Sequence, residues 1–277
     1  MSPIAKAFAR CRKQGRSALI PYFMAGYPSD SAFCTLVKSS FEAGADMIEI
    51  GIPFSDPVAD GPTIQHAGQQ ALENGVNTDR VFELLGTLSV RADQPLIIMS
   101  YFNPILQYGL DRFLSEARKV GVRGLIVPDL VVEEGKTVET ASRAAGIDLI
   151  YLLAPTSPPA RQKVILKRSR GFVYAVSAMG VTGARATQSE QMLAHVAQVR
   201  RNARLPIAMG FGISSPEAAA RAALVADGVI VGSILIDLMT PGLPEDDQVK
   251  RVAEMIKRMR QSVSANILTS EIVRQEP

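Results

Sequence analysis

The sequence has few of the side chains that bind metals or form disulfides. Among its 277 residues, Cys11 and Cys34 are the only cysteines, and His66 and His195 are the only histidines. The cysteines form neither a C-x-x-C motif nor a disulfide framework, which favours a reducing compartment and predicts a cytoplasmic protein. The histidines fall on predicted helices without ligand spacing, so we do not expect a metal site.

Excess charge and long apolar runs are also lacking. The formal net charge is only +3, and aromatic residues do not alternate with the basic ones, so we expect no nucleic-acid partner. No apolar run is long enough to span a bilayer, so we expect no membrane partner. Every lysine falls in a predicted helix, loop or terminal segment, whereas a Schiff-base aldolase needs a desolvated lysine, usually on a strand.

The sequence does contain a regular series of apolar strands and amphipathic helices. Such a series is typical of a parallel sheet covered by helices, and eight units favour a closed (β/α)8 TIM barrel. No flexible linker interrupts it, so we predict a single domain over residues 1–277, with an N-terminal helix and an extended loop after strand two. The predicted strands are 18–24, 46–51, 95–101, 122–127, 147–153, 171–176, 205–210 and 227–232. The predicted helices between and after them are 29–44, 62–91, 109–120, 133–145, 158–169, 188–203, 215–225 and 246–265.

The second predicted strand carries one carboxylate, Glu49, between Ile48 and Ile50. Because side chains alternate along a strand, isoleucines that pack on the helices place Glu49 inside the barrel. Burial would raise its pKa and keep it protonated as an acid; the alternative is a structural carboxylate held by an arginine or by backbone amides. Asp56 and Asp60 follow in the long loop at the barrel mouth. Asp60 is either a second catalytic carboxylate or a helix cap, and Asp56 orders the loop or meets a partner.

Glycines cluster at the ends of the last three predicted strands. They are Gly180 and Gly183 after strand six, Gly210 and Gly212 after strand seven, and Gly232, followed by Ser233, after strand eight. Late loops of TIM barrels often bind phosphate, because glycine lets backbone N–H groups approach the anion closely. Each glycine alone also fits an ordinary turn, but the three clusters together predict a phosphate site.

A tyrosine completes the set of candidate groups. Tyr174 on the sixth predicted strand points away from its neighbours Val173 and Ala175. It is either a member of the site or a core aromatic residue whose hydroxyl is satisfied by the protein.

Residues 48–65, Ile-Glu-Ile-Gly-Ile-Pro-Phe-Ser-Asp-Pro-Val-Ala-Asp-Gly-Pro-Thr-Ile-Gln, resemble the signature of the tryptophan synthase alpha chain family. Four further segments support the resemblance: Met-Ser-Tyr-Phe-Asn-Pro (99–104), Val-Pro-Asp (127–129), Gly-Val-Thr-Gly-Ala (180–184) and Gly-Phe-Gly-Ile-Ser-Ser-Pro (210–216). The resemblance implies a (β/α)8 barrel and a lyase of tryptophan biosynthesis. Such a lyase cleaves indole-3-glycerol phosphate to indole and glyceraldehyde 3-phosphate.

The resemblance also implies roles for individual residues. Glu49 matches the family's catalytic acid, which protonates the indole C3 carbon, and Asp60 matches the carboxylate that accepts a hydrogen bond from the indole N–H. Tyr174 matches the tyrosine beside them. The implied phosphate cradle consists of Gly183, Gly212, Gly232 and Ser233. The residues expected to line the indole and glycerol pocket are Tyr22, Ile64, Thr182 and Phe211.

The family further implies a partner, a beta chain that uses pyridoxal phosphate and converts indole to tryptophan. We therefore expect an alpha2beta2 heterotetramer and no cofactor in this chain, with loop 53–60 and the segment after strand four facing the partner. Three alternatives stay open: a stand-alone indole-3-glycerol phosphate lyase, a phosphate-binding barrel without catalysis, and another phosphosugar enzyme such as an isomerase. The presence of both Glu49 and Asp60 disfavours the second of these.

Overall fold

A computed structural model describes residues 1–176, 185–210, 212–239 and 242–265. Within them, strands are short, apolar and parallel, as expected for strands that are buried on both faces. The strands are β1 (Ala18–Met24), β2 (Ile48–Gly51), β3 (Leu96–Met99), β4 (Val122–Ile126), β5 (Asp148–Ile150), β6 (Leu152–Leu153), β7 (Val173–Ala175), β8 (Ile207–Met209) and β9 (Gly228–Val231).

The sheet closes on itself because β5 and β6 are halves of one extended segment that is interrupted only at Tyr151. The strand order is β5-β4-β3-β2-β1-β9-β8-β7-β6, so β5 pairs with β4 on one side and β6 with β7 on the other. The N–H of Tyr174 donates to the carbonyl of Tyr151 at 3.1 Å across the interruption. The segment therefore fills one position, and the predicted eight-stranded barrel is confirmed.

One helix precedes the first strand, and the others follow strands and surround the barrel. In chain order, the helices are α1 (Pro3–Lys13), α2 (Asp30–Glu42), α3 (Pro62–Glu73), α4 (Thr78–Gly86), α5 (Phe102–Tyr108), α6 (Leu110–Lys119), α7 (Lys136–Ala144), α8 (Pro159–Arg168), α9 (Arg185–Asn202), α10 (Pro216–Val225), α11 (Ser233–Asp237) and α12 (Glu245–Ala265). The prediction of one helix over 62–91 is wrong. The chain turns at Gly75, whose φ is +81°, and Asn77 restarts a helix by accepting a hydrogen bond from the Arg80 N–H at 2.9 Å.

The N-terminal helix α1 closes the end of the barrel at which the strands begin. Ser2 caps it, and its buried side includes the predicted residues Ile4, Ala7 and Phe8. Phe8 packs on Phe172 inside the barrel, with ring centroids 5.5 Å apart. Apolar side chains thus fill the barrel interior at the end where the strands begin, and polar groups can occupy the opposite end.

The other end, where the strands finish, holds the long predicted loop after β2. This loop runs from Ile52 to Gly61 and leads into α3. None of the helices in the described ranges is long and apolar enough to cross a membrane.

Candidate active site

Glu49 lies inside the barrel on β2, in register with Tyr22 of β1. Ile48 and Ile50 belong to the apolar core between sheet and helices, so alternation turns Glu49 inward. Glu49 is 1% exposed, and its Oε2 has no hydrogen-bond partner among the described residues. Burial, with the nearby charge of Asp60, raises the pKa of Glu49 to about 8. The group is therefore mostly a neutral acid at neutral pH.

Asp60 is half-buried at the end of the loop that follows β2. It does not cap α3, because the N-cap is Gly61 and no side chain caps that end. Its Oδ2 instead accepts a hydrogen bond from the Tyr101 hydroxyl at 3.1 Å. Burial raises the pKa of Asp60 to about 6, and the hydrogen bond from Tyr101 opposes that rise. At pH values between these two pKa values, Asp60 is therefore mostly ionised and Glu49 is mostly neutral.

Two buried tyrosines face these carboxylates. Tyr22 projects from β1 and Tyr174 from β7, and burial raises the pKa of both, with the charges of Glu49 and Asp60 adding to the rise. A Cβ on Gly51 would overlap the Tyr22 hydroxyl, and one on Gly210 would overlap the Tyr174 hydroxyl. Glycine at these two strand ends therefore makes room for the phenols at the barrel mouth.

The predicted phosphate site lies at the ends of the neighbouring strands β8 and β9. Gly212 has a φ of +68°, which favours glycine, and Gly232 is the N-cap of α11, whose first residue is the exposed Ser233. The N–H groups at the start of a helix can bind an anion where they lack a carbonyl partner; in α11 the Leu235 N–H already donates to the Gly232 carbonyl at 2.8 Å, so the N–H groups before it are the candidates. Of the predicted site residues, Thr182, Gly183 and Phe211 lie outside the described residues.

These groups suit proton transfer to and from a phosphorylated substrate. A neutral acid and an ionised carboxylate sit at the mouth of the barrel beside β2, and the glycine-rich ends of β9 and β8 lie beyond the intervening strand β1. Among the described residues there is no group of three or more side chains of the metal-binding types that could hold a metal ion.

Comparison with known proteins decides the family. The model of the family described as tryptophan synthase alpha chain matches residues 8–264. The chain belongs to that family. The tryptophan synthase alpha chain of Dehalococcoides mccartyi is 44% identical over 95% of this chain and 100% of its own length. That of Chloroflexus aurantiacus is 44% identical over 95% of this chain and 99% of its own length.

Solved structures of tryptophan synthases share the barrel. The structure from Mycobacterium tuberculosis has a TM-score of 0.85 and 37% identity, and the match covers 95% of this chain and 98% of that one. Tryptophan synthase subunit alpha from Legionella pneumophila has a TM-score of 0.87 and 34% identity, covering 95% of this chain and 98% of that one.

Ile64 is the last of the predicted pocket residues that the structure describes. It lies in the first turn of α3, four residues after Asp60, and is half-buried against the core. Asp56 is exposed, and its Oδ2 accepts a hydrogen bond from the Ser55 hydroxyl next to it. Ile64 therefore lies close to the carboxylates in the chain, whereas Asp56 takes part in local loop structure.

Tyr101, for which the sequence predicts no role, holds the Asp60 loop in place. Besides donating to Asp60, its hydroxyl accepts a hydrogen bond from the Ala59 N–H at 2.9 Å. The next residue, Phe102, donates its N–H to the Asp129 carboxylate after β4 at 2.9 Å. Three successive loops are thus tied together. The one available signal was the position of Tyr101 at the end of the third predicted strand.

Proposed function

We propose that this chain cleaves indole-3-glycerol phosphate to indole and glyceraldehyde 3-phosphate with Glu49 and Asp60 as its catalytic carboxylates. Membership of the tryptophan synthase alpha chain family supplies the reaction. The observation that carries the assignment of residues is that Glu49 is buried, has a raised pKa and leaves Oε2 without a hydrogen-bond partner among the described residues, while Asp60 nearby has the lower pKa. A carboxyl group without a partner in the described protein is available to exchange a proton with a substrate.

The two carboxylates act at different points of the cleavage. Neutral Glu49 gives its proton to the indole C3 carbon, which makes the ring an electron sink. The resulting Glu49 carboxylate accepts the proton of the side-chain hydroxyl next to the ring, and the O–H electrons form the aldehyde carbonyl. The C–C bond breaks, and its electrons return to the ring to give indole. Ionised Asp60 accepts a hydrogen bond from the indole N–H as positive charge develops there.

The phosphate of the substrate binds at the ends of the late strands. We place it at Gly212, Gly232 and Ser233, together with Gly183, which lies outside the described residues. Tyr22, Ile64, Thr182 and Phe211 line the pocket in this proposal, and Tyr174 stands beside the acids. Binding at a non-reacting phosphate helps to hold the indole ring in register with the carboxylates.

A beta chain is the proposed partner, in an alpha2beta2 assembly located in the cytoplasm. Three exposed apolar side chains support a docking surface on the loops of the active end. Val58 after β2 is 73% exposed, Leu106 on α5 is 58% exposed and Val131 after β4 is 40% exposed. We propose that this chain carries no cofactor, because pyridoxal phosphate belongs to the beta chain and the cleavage needs only proton transfers.

Release of indole from indole-3-glycerol phosphate tests the proposal, measured with purified chain alone and with a tryptophan synthase beta chain. We expect cleavage in both samples and faster cleavage with the beta chain. An equal rate in both would favour the stand-alone lyase. Failure to cleave this substrate in either sample, with turnover of another sugar phosphate, would reject the proposed reaction.

Paired variants test the docking surface. Leu106→Asp should weaken the acceleration by the beta chain, because it places a charge on an apolar contact. Leu224→Asp is the matched control, since Leu224 is 48% exposed but lies on α10 near the start of β9, at the opposite end of the barrel. Equal effects of both substitutions would move the interface elsewhere.

A further inference from the structure

The hydroxyl of Tyr22 is buried without a hydrogen-bond partner in the described part of the chain. The whole residue is 2% exposed. A buried hydroxyl with no partner destabilises a protein, whereas phenylalanine fills nearly the same space without that cost. Packing alone therefore does not explain a tyrosine at this position.

The side chain of Tyr22 spans the region between the predicted phosphate site and the carboxylates. β1 lies between β9 and β2 in the sheet. At one end, a Cβ on Gly232 would lie 3.4 Å from Tyr22 Cδ1. At the other end, the hydroxyl lies over Gly51, two residues beyond Glu49 on the same face of β2. Tyr22 therefore lies between the strand end that carries Gly232 and the strand that carries Glu49.

The Tyr22 hydroxyl has polar neighbours on the side of the barrel that holds Glu49 and Asp60. Asp60, Glu49, Tyr174 and Tyr101 are the titratable groups that act on it. Burial and these neighbours raise its pKa, so the phenol keeps its proton and can donate a hydrogen bond to an acceptor oxygen or accept one from a donor. Glu49 Oε2 also lacks a partner among the described residues. The Tyr22 hydroxyl, as a donor, and Glu49 Oε2, as an acceptor, therefore lie in the same part of the barrel without a partner among the described residues.

We propose that the Tyr22 hydroxyl binds the glycerol part of the substrate by donating a hydrogen bond to the oxygen whose proton Glu49 removes. A substrate hydroxyl at this point accepts from Tyr22 and donates to Glu49, which satisfies both groups at once. Tyr22 then selects for a hydroxylated three-carbon chain between ring and phosphate, and it directs the hydroxyl proton toward Glu49. This inference rests on the proposed lyase function.

Tyr22→Phe tests the inference with two ligands. The first is indole-3-glycerol phosphate, and the second is its dideoxy analogue, which has the same ring and phosphate but no side-chain hydroxyls. We expect kcat/KM for the substrate to fall about tenfold or more, since a site built to bind a hydroxyl discriminates strongly when one partner is missing. The inhibition constant of the analogue should stay within about twofold, because the lost hydrogen bond never existed in that complex.

Thermal unfolding of the ligand-free proteins separates this role from a structural one. Tyr22→Phe should leave the melting temperature unchanged or raise it, because it removes an unpartnered buried hydroxyl. Tyr151→Phe is the control: the Tyr151 hydroxyl donates to Glu139 Oε1 at 2.9 Å outside the site, so its loss should lower the melting temperature and leave kcat/KM unchanged.

Two results would overturn the inference. One is an equal loss of affinity for substrate and analogue, which would make Tyr22 a packing residue of the pocket. The other is an unchanged kcat/KM in Tyr22→Phe while the unsubstituted protein cleaves the substrate. If the unsubstituted protein itself fails to cleave it, the proposed function fails first, so the two failures are distinguishable.

Discussion

Replacing Glu49 by glutamine should abolish cleavage and, at the same time, stabilise the protein at alkaline pH. Glutamine keeps the size of the side chain but neither gives nor takes the proton that the proposed mechanism needs. In the unsubstituted protein, raising the pH forces the buried Glu49 to ionise within the barrel or the chain to unfold. The amide side chain of the variant has no proton to lose in this range, so the variant escapes that penalty.

The size of the effect follows from the two pKa values. The pKa of Glu49 rises from 4.5 to about 8 on folding, so the folded state binds more protons than the unfolded state between these values. The stability of the unsubstituted protein therefore falls as the pH rises through this window. The loss is about 1 kcal/mol at pH 5 and about 4 kcal/mol at pH 8, so the advantage of the variant grows by about 3 kcal/mol.

Urea unfolding at the two pH values measures the change, and indole release measures cleavage. The chain contains no tryptophan, so indole fluorescence also reports whether the variant still binds substrate. Glu139→Gln is the control. Glu139 accepts hydrogen bonds from Tyr151 and, at 2.6 Å, from Arg168, so this substitution should lower the stability of the protein. A stability difference between Glu49→Gln and the unsubstituted protein that does not change with pH would refute the desolvation argument, and retained cleavage would remove Glu49 from the mechanism.

Three further predictions concern the pH dependence of cleavage, a buried ion pair and the phosphate site. The pKa values predict a bell-shaped kcat/KM, because Asp60 loses its charge below about 6 and Glu49 loses its proton above about 8; a flat profile across both limbs contradicts this assignment. Asp46→Asn breaks a buried pair in which Arg16 donates to both Asp46 oxygens at 2.7 Å, so unfolding should be easier by about 3–5 kcal/mol while the cleavage rate of the folded protein is kept. Ser233→Asp should raise KM by repelling phosphate, with Ser233→Ala as the neutral control; an unchanged KM places the phosphate elsewhere.

The barrel could be predicted from sequence because its strands are apolar on both faces and alternate with amphipathic helices. The short helices α5 and α11 could not, since seven and five residues are too few to show a helical period. The break between α3 and α4 depends on the positive φ of Gly75. An isolated glycine within a helical pattern is not enough to predict such a break. Local pattern thus located the strands better than the helix ends.

Within the site, Glu49 was predictable because a lone charge in an apolar strand breaks the pattern of its neighbours. The contact between Tyr101 and Asp60 was not, since it joins residues 41 positions apart and depends on how two loops meet. The same holds for Gly51 and Gly210, whose lack of a Cβ makes room for tyrosines on other strands. Such features follow from tertiary contacts, which strand periodicity does not contain.

Two buried carboxylates on one short segment show what separates a structural acid from a reactive one. Asp46 and Glu49 are both at most 2% exposed and stand three residues apart. Burial acts to raise the pKa of both, but at Asp46 the hydrogen bonds and charge of Arg16, together with hydrogen bonds from Leu19 and Cys11, more than offset it, and the pKa is lowered. A cation beside Glu49 would do the same there and would remove the proton that the proposed mechanism needs at neutral pH. The lack of such a partner among the described residues therefore suits Glu49 to the acid role proposed for it, whereas the paired Asp46 stabilises the other end of the barrel.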